Sequence, residues 1–448
     1  MKSPFPQLSP TTSLRLRVAC TLALAVVTPS SFGQQLLAQS LANPPASPTT
    51  PTTPATAITP TSSTTFATAR WTLASVLQAA LDRHPLMLGR RSAQDAARAD
   101  KEGAEWARYP TPSIEAFSRN ANGSSGVARL EQPLYTGGRI TASINAADRR
   151  LDAAGSAVEE ARLELRLRVI AATVEALRQQ ARQTRAQASV DEHRKLLEMI
   201  RRRVARDVSP SVDQSLAESR LFQAINDQSA MQQAYRNALA QLSQLAGQSV
   251  GDMDPAGVAD ANGPASREQA EQQARSYSPS LQRLAFEEAA ANADIDVRRA
   301  AMLPTVAMRL ERTMGTLAES RALVVLQAQP GAGLSARSGI EAAAARREAA
   351  RQASETAQRD LAERITLDWN ELQAARLRLE NARQAQQMSA EVFASYTRQY
   401  VIGRKSWLDV LNAVREAAQS DFAVEDARAQ AQGASLRLRA QTGTLQAP

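Results

Sequence analysis

The sequence contains two similar halves, and this duplication constrains the fold more than any other feature. Pro85 and Pro110 recur as Pro279 and Pro304, both at an offset of 194 residues (279 − 85 and 304 − 110). Three later anchors recur at an offset of 196 residues: Asp213, Ala217 and Gly247 become Asp409, Ala413 and Gly443. The two extra residues therefore lie between these groups, and we expect them in the second hairpin. Two copies with a long period predict duplicated halves of one assembly rather than a solenoid.

Each half is predicted to contain a helix, a strand hairpin, a long helix, a tip and a return helix. The first repeat covers residues 69–250 and the second covers residues 267–445, with residues 251–266 as a linker. The chain is 43% hydrophobic but only 4% aromatic, and it is rich in Ala, Leu, Gln, Glu and Arg. This composition favours long helices packed through small residues. The expected fold class is therefore mainly α with a small β part.

The N-terminal region has the composition of an export signal followed by a tether. Residues 1–38 place Lys2 and two arginines before an apolar stretch from Val18 to Val27, as in a secretory signal peptide. Cys20 lies inside that stretch, so we do not expect a lipidated cysteine, and the mature chain would contain no cysteine for a disulfide. Residues 39–68 are rich in Pro and Thr, which predicts a disordered, extended tether.

Two short segments interrupt the helical pattern at equivalent places in the halves. The first predicted hairpin covers residues 112–135, with a polar tip from Asn122 to Gly126, and the second covers residues 304–330. In the second, apolar and other residues alternate with a period of two: Val306, Met308 and Leu310 on one face, and Ala307, Arg309 and Glu311 on the other. This period is typical of strands with one apolar face.

The strand lengths suit a tilted crossing of a bilayer, for which about 9 to 11 residues are needed. Four strands per chain are too few to close a membrane barrel, since such barrels begin at about eight strands. Several copies would therefore share one barrel, and three copies would supply twelve strands. The alternative is a pair of soluble hairpins that cap a helical domain.

The two longest predicted helices cover residues 140–204 and 335–400, which are nearly free of Gly and Pro. At ~1.5 Å per residue, each helix would be on the order of 100 Å long. One set of residues in the first helix recurs in steps of four and three: Leu163, Leu167, Ile170, Val174, Leu177 and Ala181. Such spacing predicts a coiled-coil seam, and Ile365, Trp369 and Leu372 continue it in the second helix.

Each long helix ends at a predicted tip, after which a second helix returns. At the first tip, residues 203–211, we expect Ser209 to cap the return helix and Pro210 to be its first residue. At the second tip, residues 399–407, Gly403 ends the long helix. Ser406 and Asp409 then have the spacing of a capping box.

Two further segments complete a resemblance to a known family. QPLYTGGR, residues 132–139, follows the first hairpin and contains the turn residues Gly137 and Gly138. YVIGRKSWLDVLNA, residues 400–413, is similar to the tip pattern Y-x-V-G-x-x-x-x-x-D-V-L-x-A. With the duplication, these segments resemble the TolC-type outer-membrane channel proteins over about residues 70–445.

The resemblance implies a homotrimer in the cell outer membrane, in contact with its lipid. Duplicated coiled-coil helical hairpins would form an α-barrel in the periplasm, and four strands per chain would enter a shared twelve-stranded transmembrane β-barrel. The tips would contact a periplasmic adaptor, or membrane fusion protein, that is linked to an inner-membrane ABC pump or another pump. The residues implied in that contact are Val204, Asp207, Val208, Ile402, Gly403 and Arg404.

The sequence departs from the family pattern at two places. Asp207 stands where the family usually has Gly. The acidic pair that narrows the periplasmic mouth in some members is also absent, because residues 394–398 read ASYTR and Glu391 is the nearest acid. We therefore expect Arg398, Tyr396 and helix packing to close the mouth instead.

The exported substrate is predicted from two further segments. Residues 203–221 (RVARDVSPSVDQSLAESRL) and 329–346 (QPGAGLSARSGIEAAAAR) are most similar to the branch of the family that serves type I secretion of large adhesins, the LapE and AggA type. Efflux of drugs or metals is the alternative within the family. A periplasmic coiled-coil scaffold without a pore is the alternative from another class.

The sequence predicts neither an enzyme nor a metal or cofactor site. His84 precedes a proline and is expected at the surface or as a helix cap, and His193 is expected on a solvated helix face. Two distant histidines without a cysteine do not form a metal site. The net charge of +8 comes from basic residues interleaved with acids, which argues against nucleic-acid binding. The basic cluster at residues 201–207 falls at a tip and could contact an acidic partner.

Overall fold

Each half of the chain folds into two short helices, two strands and two long helices, as seen in a computed structural model. The structure describes residues 70–119, 123–255, 258, 264–314, 319–328 and 335–445. These residues belong to one structural unit, Phe66–Pro448. The predicted signal and tether lie outside the described residues, as do parts of the linker and the end of the second predicted hairpin.

The elements follow the same order in both halves. The first half contains α1 (Leu73–Arg83), α2 (Pro85–Trp106), β1 (Thr111–Arg119), β2 (Gly123–Tyr135), α3 (Arg139–Val204) and α4 (Ser211–Ala246). The second half contains α5 (Arg267–Tyr277), α6 (Pro279–Ala300), β3 (Thr305–Met314), β4 (Ser320–Gln327), α7 (Ser335–Val401) and α8 (Trp407–Gln441). The offset is 194 residues where β1 and β3 begin and 196 residues where α3 and α7 begin (305 − 111 and 335 − 139). The two extra residues therefore lie in the second hairpin segment.

The repeated prolines and glycines mark helix ends. Pro85 and Pro279 are the first residues of α2 and α6, where a missing backbone N–H costs no hydrogen bond. Gly247 and Gly443 follow α4 and α8 with φ angles of 66° and 71°. This left-handed conformation is accessible to glycine without the Cβ penalty that other residues incur. The helices therefore begin and end at equivalent positions in the two halves.

The helices pack side by side in a definite order. Near the tips, α4 packs on α3, α3 packs on α8, and α8 packs on α7. Nearer the sheet, α2 packs on α3, α3 packs on α6, and α6 packs on α7. Because β1 follows α2 and β4 precedes α7, one lateral edge consists of α2, β1 and α4. The other lateral edge consists of α7 and β4.

The largest apolar cluster lies where α1 packs against α3 and the end of α4. Val76, Leu165, Leu242 and Met253 are fully buried there. The backbone of Trp71 pairs with the backbone around Met253, which fastens the start of the described chain to the segment after α4. None of the helices in the described part of the chain has an apolar stretch that could cross a bilayer.

The predicted seam of α3 is only partly correct. Ile170 is buried, but the other predicted seam residues are half-buried. The fully packed seam lies on nearly the opposite face of the helix and consists of Leu165, Val169, Ala172, Ala176 and Gln179. It also steps by four and three residues, so both sets satisfy the coiled-coil spacing. In α7 the prediction agrees with the structure, because Ile365 and Leu372 are buried and Trp369 packs against their cluster.

The four strands form one antiparallel sheet in the order β1-β2-β3-β4. Leu130 lies opposite Leu310, and Met308 lies opposite Val324. The predicted polar tip from Asn122 to Gly126 is wrong in extent, because β2 begins at Gly123. Backbone pairing with β1 continues to the Arg119 and Gly123 partners, since a closer turn satisfies more backbone groups. The alternation predicted for β3 is confirmed, with Met308 and Leu310 exposed and Glu311 buried.

The duplicated glycines provide a matched test of helix-end geometry. A Cβ at Gly443 would lie 2.7 Å from Cδ2 of Tyr277, whereas a Cβ at Gly247 would lie 3.6 Å from Cβ of Arg83. We expect Gly247→Ala to cost ~1 kcal/mol of unfolding free energy through backbone strain alone. Gly443→Ala should cost about 1 to 3 kcal/mol more because it also overpacks the Tyr277 ring. The midpoint of denaturant unfolding, followed by helical circular dichroism, measures both.

Removing the ring isolates the steric part of that cost. In a Tyr277→Ala background, Gly443→Ala should lower the free energy of unfolding by about as much as Gly247→Ala lowers it in the wild type. Equal midpoints for the two single glycine variants would contradict the predicted contact.

Candidate functional site

The two helical tips lie together and are held by contacts around Tyr400. Its ring packs against the Trp407 ring with 5.1 Å between centroids, and the Arg203 guanidinium lies 4.8 Å from its ring centre. The Tyr400 hydroxyl lies 3.2 Å from Oγ of Ser209. The Trp407 Nε1 donates a hydrogen bond of 3.0 Å to the backbone oxygen of Asp213. These contacts join the end of α7 and the start of α8 to the first tip.

Apolar side chains beneath this junction form a local core. Leu196, Ile200 and Ala217 from the first half pack with Trp407 and Val410 from the second. All five are buried in a single chain. The tips of one chain are therefore a fixed pair, and their outward residues form one surface.

The predicted contact residues lie on that surface. Val208 and Ile402 are 58% and 64% exposed. Asp207, Gly403 and Arg404 are exposed as well, while Val204 is half-buried. Exposed apolar residues beside charged ones are typical of a surface that binds another protein.

Both tips end in the same left-handed turn. Asp207 and Gly403 are related by the 196-residue offset (403 − 207), and their φ angles are 58° and 78°. The amide of Val208 donates to Arg203 O, and the amide of Arg404 donates to Gln399 O, each at 2.9 Å. This is the hydrogen-bond pattern of a glycine helix end. Asp207 therefore adopts the conformation of the glycine it replaces, and among the described residues it is the one non-glycine with positive φ.

The return helices begin differently, and the prediction for the first one is wrong. α4 begins at Ser211, with Pro210 as its N-cap and no side-chain cap. Ser209 instead directs its hydroxyl to Tyr400, a contact between the halves that local sequence does not reveal. At the second tip the predicted capping box is confirmed. Ser406 Oγ accepts from the amide of Asp409, and Asp409 Oδ2 accepts from the amide of Ser406.

The tip surface is also basic. Arg201 bridges Glu198 and Glu218, which fixes it between α3 and α4. Lys405 lies with Nζ 4.2 Å from the centre of the Tyr396 ring, a cation–π distance. Arg202 and Arg206 are exposed and have no ion pair in the described part of the chain. The tips thus present free positive charge next to apolar side chains.

The residues predicted to close the periplasmic mouth do not contact one another within the chain. Tyr396 is half-buried and packs against the tip core and Lys405, whereas Arg398 is exposed. Glu391 accepts a hydrogen bond from Gln387 on its own helix. Closure of the mouth by Arg398 and Tyr396 therefore remains a prediction.

At the other end of the long helices, Gly137 and Gly138 form the turn from β2 into α3. Their φ angles are 59° and 84°. A Cβ at Gly137 would lie 2.6 Å from Cβ of Leu303, so this turn packs directly on the segment after α6. Gly138 has open space and needs glycine only for its backbone conformation.

The sheet has one apolar face that is exposed. Side chains that are 40% to 77% exposed share this face: Ile114, Leu130, Met308, Leu310, Val324 and Leu326. Arg312, near the far end of β3, also lies on it. Trp106, Tyr109 and Tyr135 are exposed at the end of the sheet nearest the helices. A sheet in water would bury such a face, so this one requires an apolar environment.

The opposite face carries a ladder of charges that crosses all four strands. Arg129 bonds to Glu115 at 2.7 Å and to Glu311 at 2.8 Å. Glu311 also bonds to Arg321 at 3.1 Å. A second rung joins Arg309 to Glu131 at 2.8 Å. Sequence reasoning missed this ladder, although the charges recur at alternate positions of the strands, which was the available signal.

Each histidine makes a hydrogen bond to a nearby backbone group. His84 caps α2, because its Nδ1 accepts from the amide of Leu86 at 3.2 Å. The expectation for His193 is wrong, since it is only 7% exposed and its Nδ1 lies 2.8 Å from Ser189 O. It is buried because α4 and α8 pack over that face of α3. Among the described residues, no group of His, Cys, Asp and Glu could hold a metal ion.

Comparison with known families gives a match over both halves. The profile of the family described as outer membrane efflux protein matches residues 76–248 and again residues 270–444. Comparison with curated protein sequences gives no match.

Several solved structures share the fold. A membrane protein from Pseudomonas aeruginosa is 19% identical, with 83% of this chain and 90% of that one covered and a TM-score of 0.73. The outer membrane protein VceC from Vibrio cholerae is 17% identical, with 83% and 96% covered and a TM-score of 0.72. The MtrE outer membrane channel of Neisseria gonorrhoeae, in its open state, is 16% identical, with 84% and 90% covered and a TM-score of 0.69. At these identities the likeness shows the fold alone.

The capping box at the second tip should make stability depend on pH. Hydrogen bonds from the Ser406 side chain and backbone lower the pKa of Asp409 below its ordinary value of 3.8. A lowered pKa means that Asp409 stabilises the fold fully above pH 3.8 and loses this effect as pH falls through the lowered value. The difference in unfolding midpoint between the wild type and Asp409→Ala should therefore disappear in strong acid.

Asp213 is the matched control at the other tip. It also lies in the first turn of its helix, but that helix has no side-chain cap. Asp213→Ala should lower the midpoint less than Asp409→Ala at neutral pH. If the unfolding midpoints of the wild type and Asp409→Ala still differ by the same amount in strong acid, the capping role of Asp409 is contradicted.

Proposed function

The chain belongs to the outer membrane efflux protein family, and from this premise we propose that it is the outer-membrane channel of a tripartite export system. It conducts substrate passively from a periplasmic adaptor and an inner-membrane pump to the exterior. The observation that carries the proposal is the open four-stranded sheet with an exposed apolar face. Membrane lipid is the environment that such a face requires.

The sheet supports a homotrimer with a shared barrel. In the described residues, β1 and β4 each pair with a strand on one side only. Unpaired strand edges cannot remain in lipid because their backbone groups would be unsatisfied. Three chains supply twelve strands, and β4 of each copy pairs with β1 of the next. Trp106, Tyr109 and Tyr135 then lie where an aromatic belt meets the membrane surface.

The order of the helices supports closure of a helical barrel by the same three-fold rotation that joins β4 of one copy to β1 of the next. α7 occupies one lateral edge, and α2 and α4 occupy the other. Leu367, Leu377 and Met388 of α7 are 53% to 63% exposed, and Phe222 of α4 is 64% exposed. Packing α7 of one copy against α2 and α4 of the next covers these side chains and closes a helical barrel that extends into the periplasm.

The tips are proposed as the adaptor contact. Val208 and Ile402 provide apolar area, and Arg202, Arg206 and Arg404 provide positive charge around it. An adaptor with an acidic rim around an apolar patch fits this surface. Asp207 keeps the tip geometry of a glycine while adding one negative charge to it.

For the cargo, we propose type I secretion of a large protein such as an adhesin. The support is the similarity of residues 203–221 and 329–346 to the adhesin-secreting branch of the family. Efflux of drugs or metals is the second candidate, because the family to which the chain belongs is described as outer membrane efflux protein. A scaffold without a pore is disfavoured, since it would leave the apolar sheet face in water.

A channel and a scaffold differ in assembly and conductance. We expect detergent-extracted protein to run as a trimer that dissociates on heating, and the purified trimer to give single-channel currents in a planar bilayer. A soluble monomer from the periplasmic fraction would contradict the channel.

The two cargos are distinguished by deletion of the gene. Loss of a surface adhesin and of biofilm, with unchanged drug resistance, is expected for secretion. Hypersensitivity to drugs or metals with normal adhesion would instead establish efflux. Complementation with the wild-type gene is the control in both cases.

The tip contact can be tested at Gly403. Gly403→Trp places a bulky ring on the exposed turn, where a Cβ meets no atom within 4 Å. We expect export to be lost while the heat-dissociable trimer is retained, because the ring blocks the adaptor and not the fold. Gly403→Ala adds the backbone strain without the bulk and should retain most export. Full export by Gly403→Trp would exclude this tip from the contact.

A further inference from the structure

The charge ladder on the sheet ends in an acidic residue at one edge and a basic residue at the other, and each of them has one ion-pair partner. Its order across the strands is Glu115 on β1, Arg129 on β2, Glu311 on β3 and Arg321 on β4. The two inner members each bind two partners and are 29% and 8% exposed as side chains. Glu115 and Arg321 each bind one partner and are 46% and 57% exposed.

The free atoms of the end residues are complementary. Glu115 uses Oε1 for Arg129, and its Oε2 has no described partner. Arg321 uses Nε for Glu311, and its two terminal nitrogens have no described partner. One edge strand thus carries a carboxylate oxygen that is free to accept, and the other carries guanidinium N–H groups that are free to donate. These are the groups that form the strongest charge-assisted hydrogen bonds.

The strand register places the two end residues on the same face of the sheet, in neighbouring rows of that face. One row of paired residues runs across the sheet: Arg321 on β4, Glu311 on β3, Arg129 on β2 and Ser113 on β1. Glu115 lies two residues from Ser113 on the same face. The same diagonal step joins Arg129 to Glu115 within the chain. Diagonal neighbours of this kind are within reach of long side chains.

We propose that Arg321 of one copy pairs with Glu115 of the next copy, which joins the ladders of all copies into one closed ring of alternating charge inside the barrel. This rests on the proposed trimer. The partner is a second copy of this chain, and the contact is head to tail, because the two edges differ. The ion pair selects one register for the β4 and β1 strands, since a slip by one residue would turn Arg321 toward lipid.

Cross-linking tests the pair directly. The sole cysteine of the sequence is Cys20, so Cys20→Ala provides a background without thiols. Glu115→Cys and Arg321→Cys are then combined and treated with a short bis-maleimide in outer-membrane fractions. Within one chain the two positions are three strand spacings apart, or about 14 Å. Covalent dimers and trimers after full denaturation are therefore expected only if the two edges of neighbouring copies meet.

Two controls fix the register and the identity of the link. Val325→Cys with Glu115→Cys keeps the same face but moves the β4 thiol four residues, or about 13 Å, along the strand and away from the row of Glu115. It should give at most one tenth of the cross-linked product. Trimers of either single cysteine variant should not cross-link, whereas mixed trimers of the two should. If the variant with both cysteines fails to assemble, the mixed trimers provide the same cross-linking test.

The outcomes separate this inference from the proposed function. Intact trimers that fail to cross-link through 115 and 321, in both the combined and the mixed form, would overturn the ion pair and leave the channel standing. Preferential linking of Glu115→Cys to position 325 would overturn the register. Wild-type protein that is not trimeric would overturn the proposed channel itself.

Discussion

The sheet imposes the constraint on which the rest of the structure depends. Its four strands satisfy one another's backbone groups but leave two outer edges open, and its apolar face is exposed while its charged face is internally paired. In water, the apolar face would be costly, and in lipid the open edges would be costly. Joining the edges of several copies, with the apolar faces outward, removes both costs at once. In that arrangement the charged face would line the interior. The opposite charges of each ion pair neutralise one another there, and the surface stays polar.

The helices follow the side-by-side order of the strands to which they are joined. α3 is the central element, since it contacts α2 and α6 near the sheet and α4 and α8 near the tips. Small buried residues such as Ala161, Ala172 and Ala176 allow this close approach on more than one side. Because α7 continues from β4, and α2 leads into β1, a rotation that joins the strand edges also joins the helix edges. One symmetry operation can therefore close both parts.

The tips show how a duplicated unit diverges while its backbone is kept. Asp207 and Gly403 occupy equivalent left-handed positions, although only glycine does so without steric cost. Ser209 and Ser406 illustrate the same divergence in side-chain roles. Ser406 caps its own helix, whereas Ser209 contacts Tyr400 of the other half. The two tips are thus a heterogeneous pair joined by contacts between the repeats, and their exposed residues form one surface.

The sequence by itself determined the duplication, the helix lengths, the period-two faces of the strands and the capping box at Ser406, because each follows from local spacing and backbone preference. It did not determine which of two equally spaced seams in α3 would be packed. It also did not show that His193 would be buried, or that Ser209 would contact Tyr400. These depend on which helix covers which face, and helix packing is a property of the tertiary arrangement. The charge ladder has the same origin, since Glu115 and Arg321 lie about 200 residues apart and are joined only through the register of four strands.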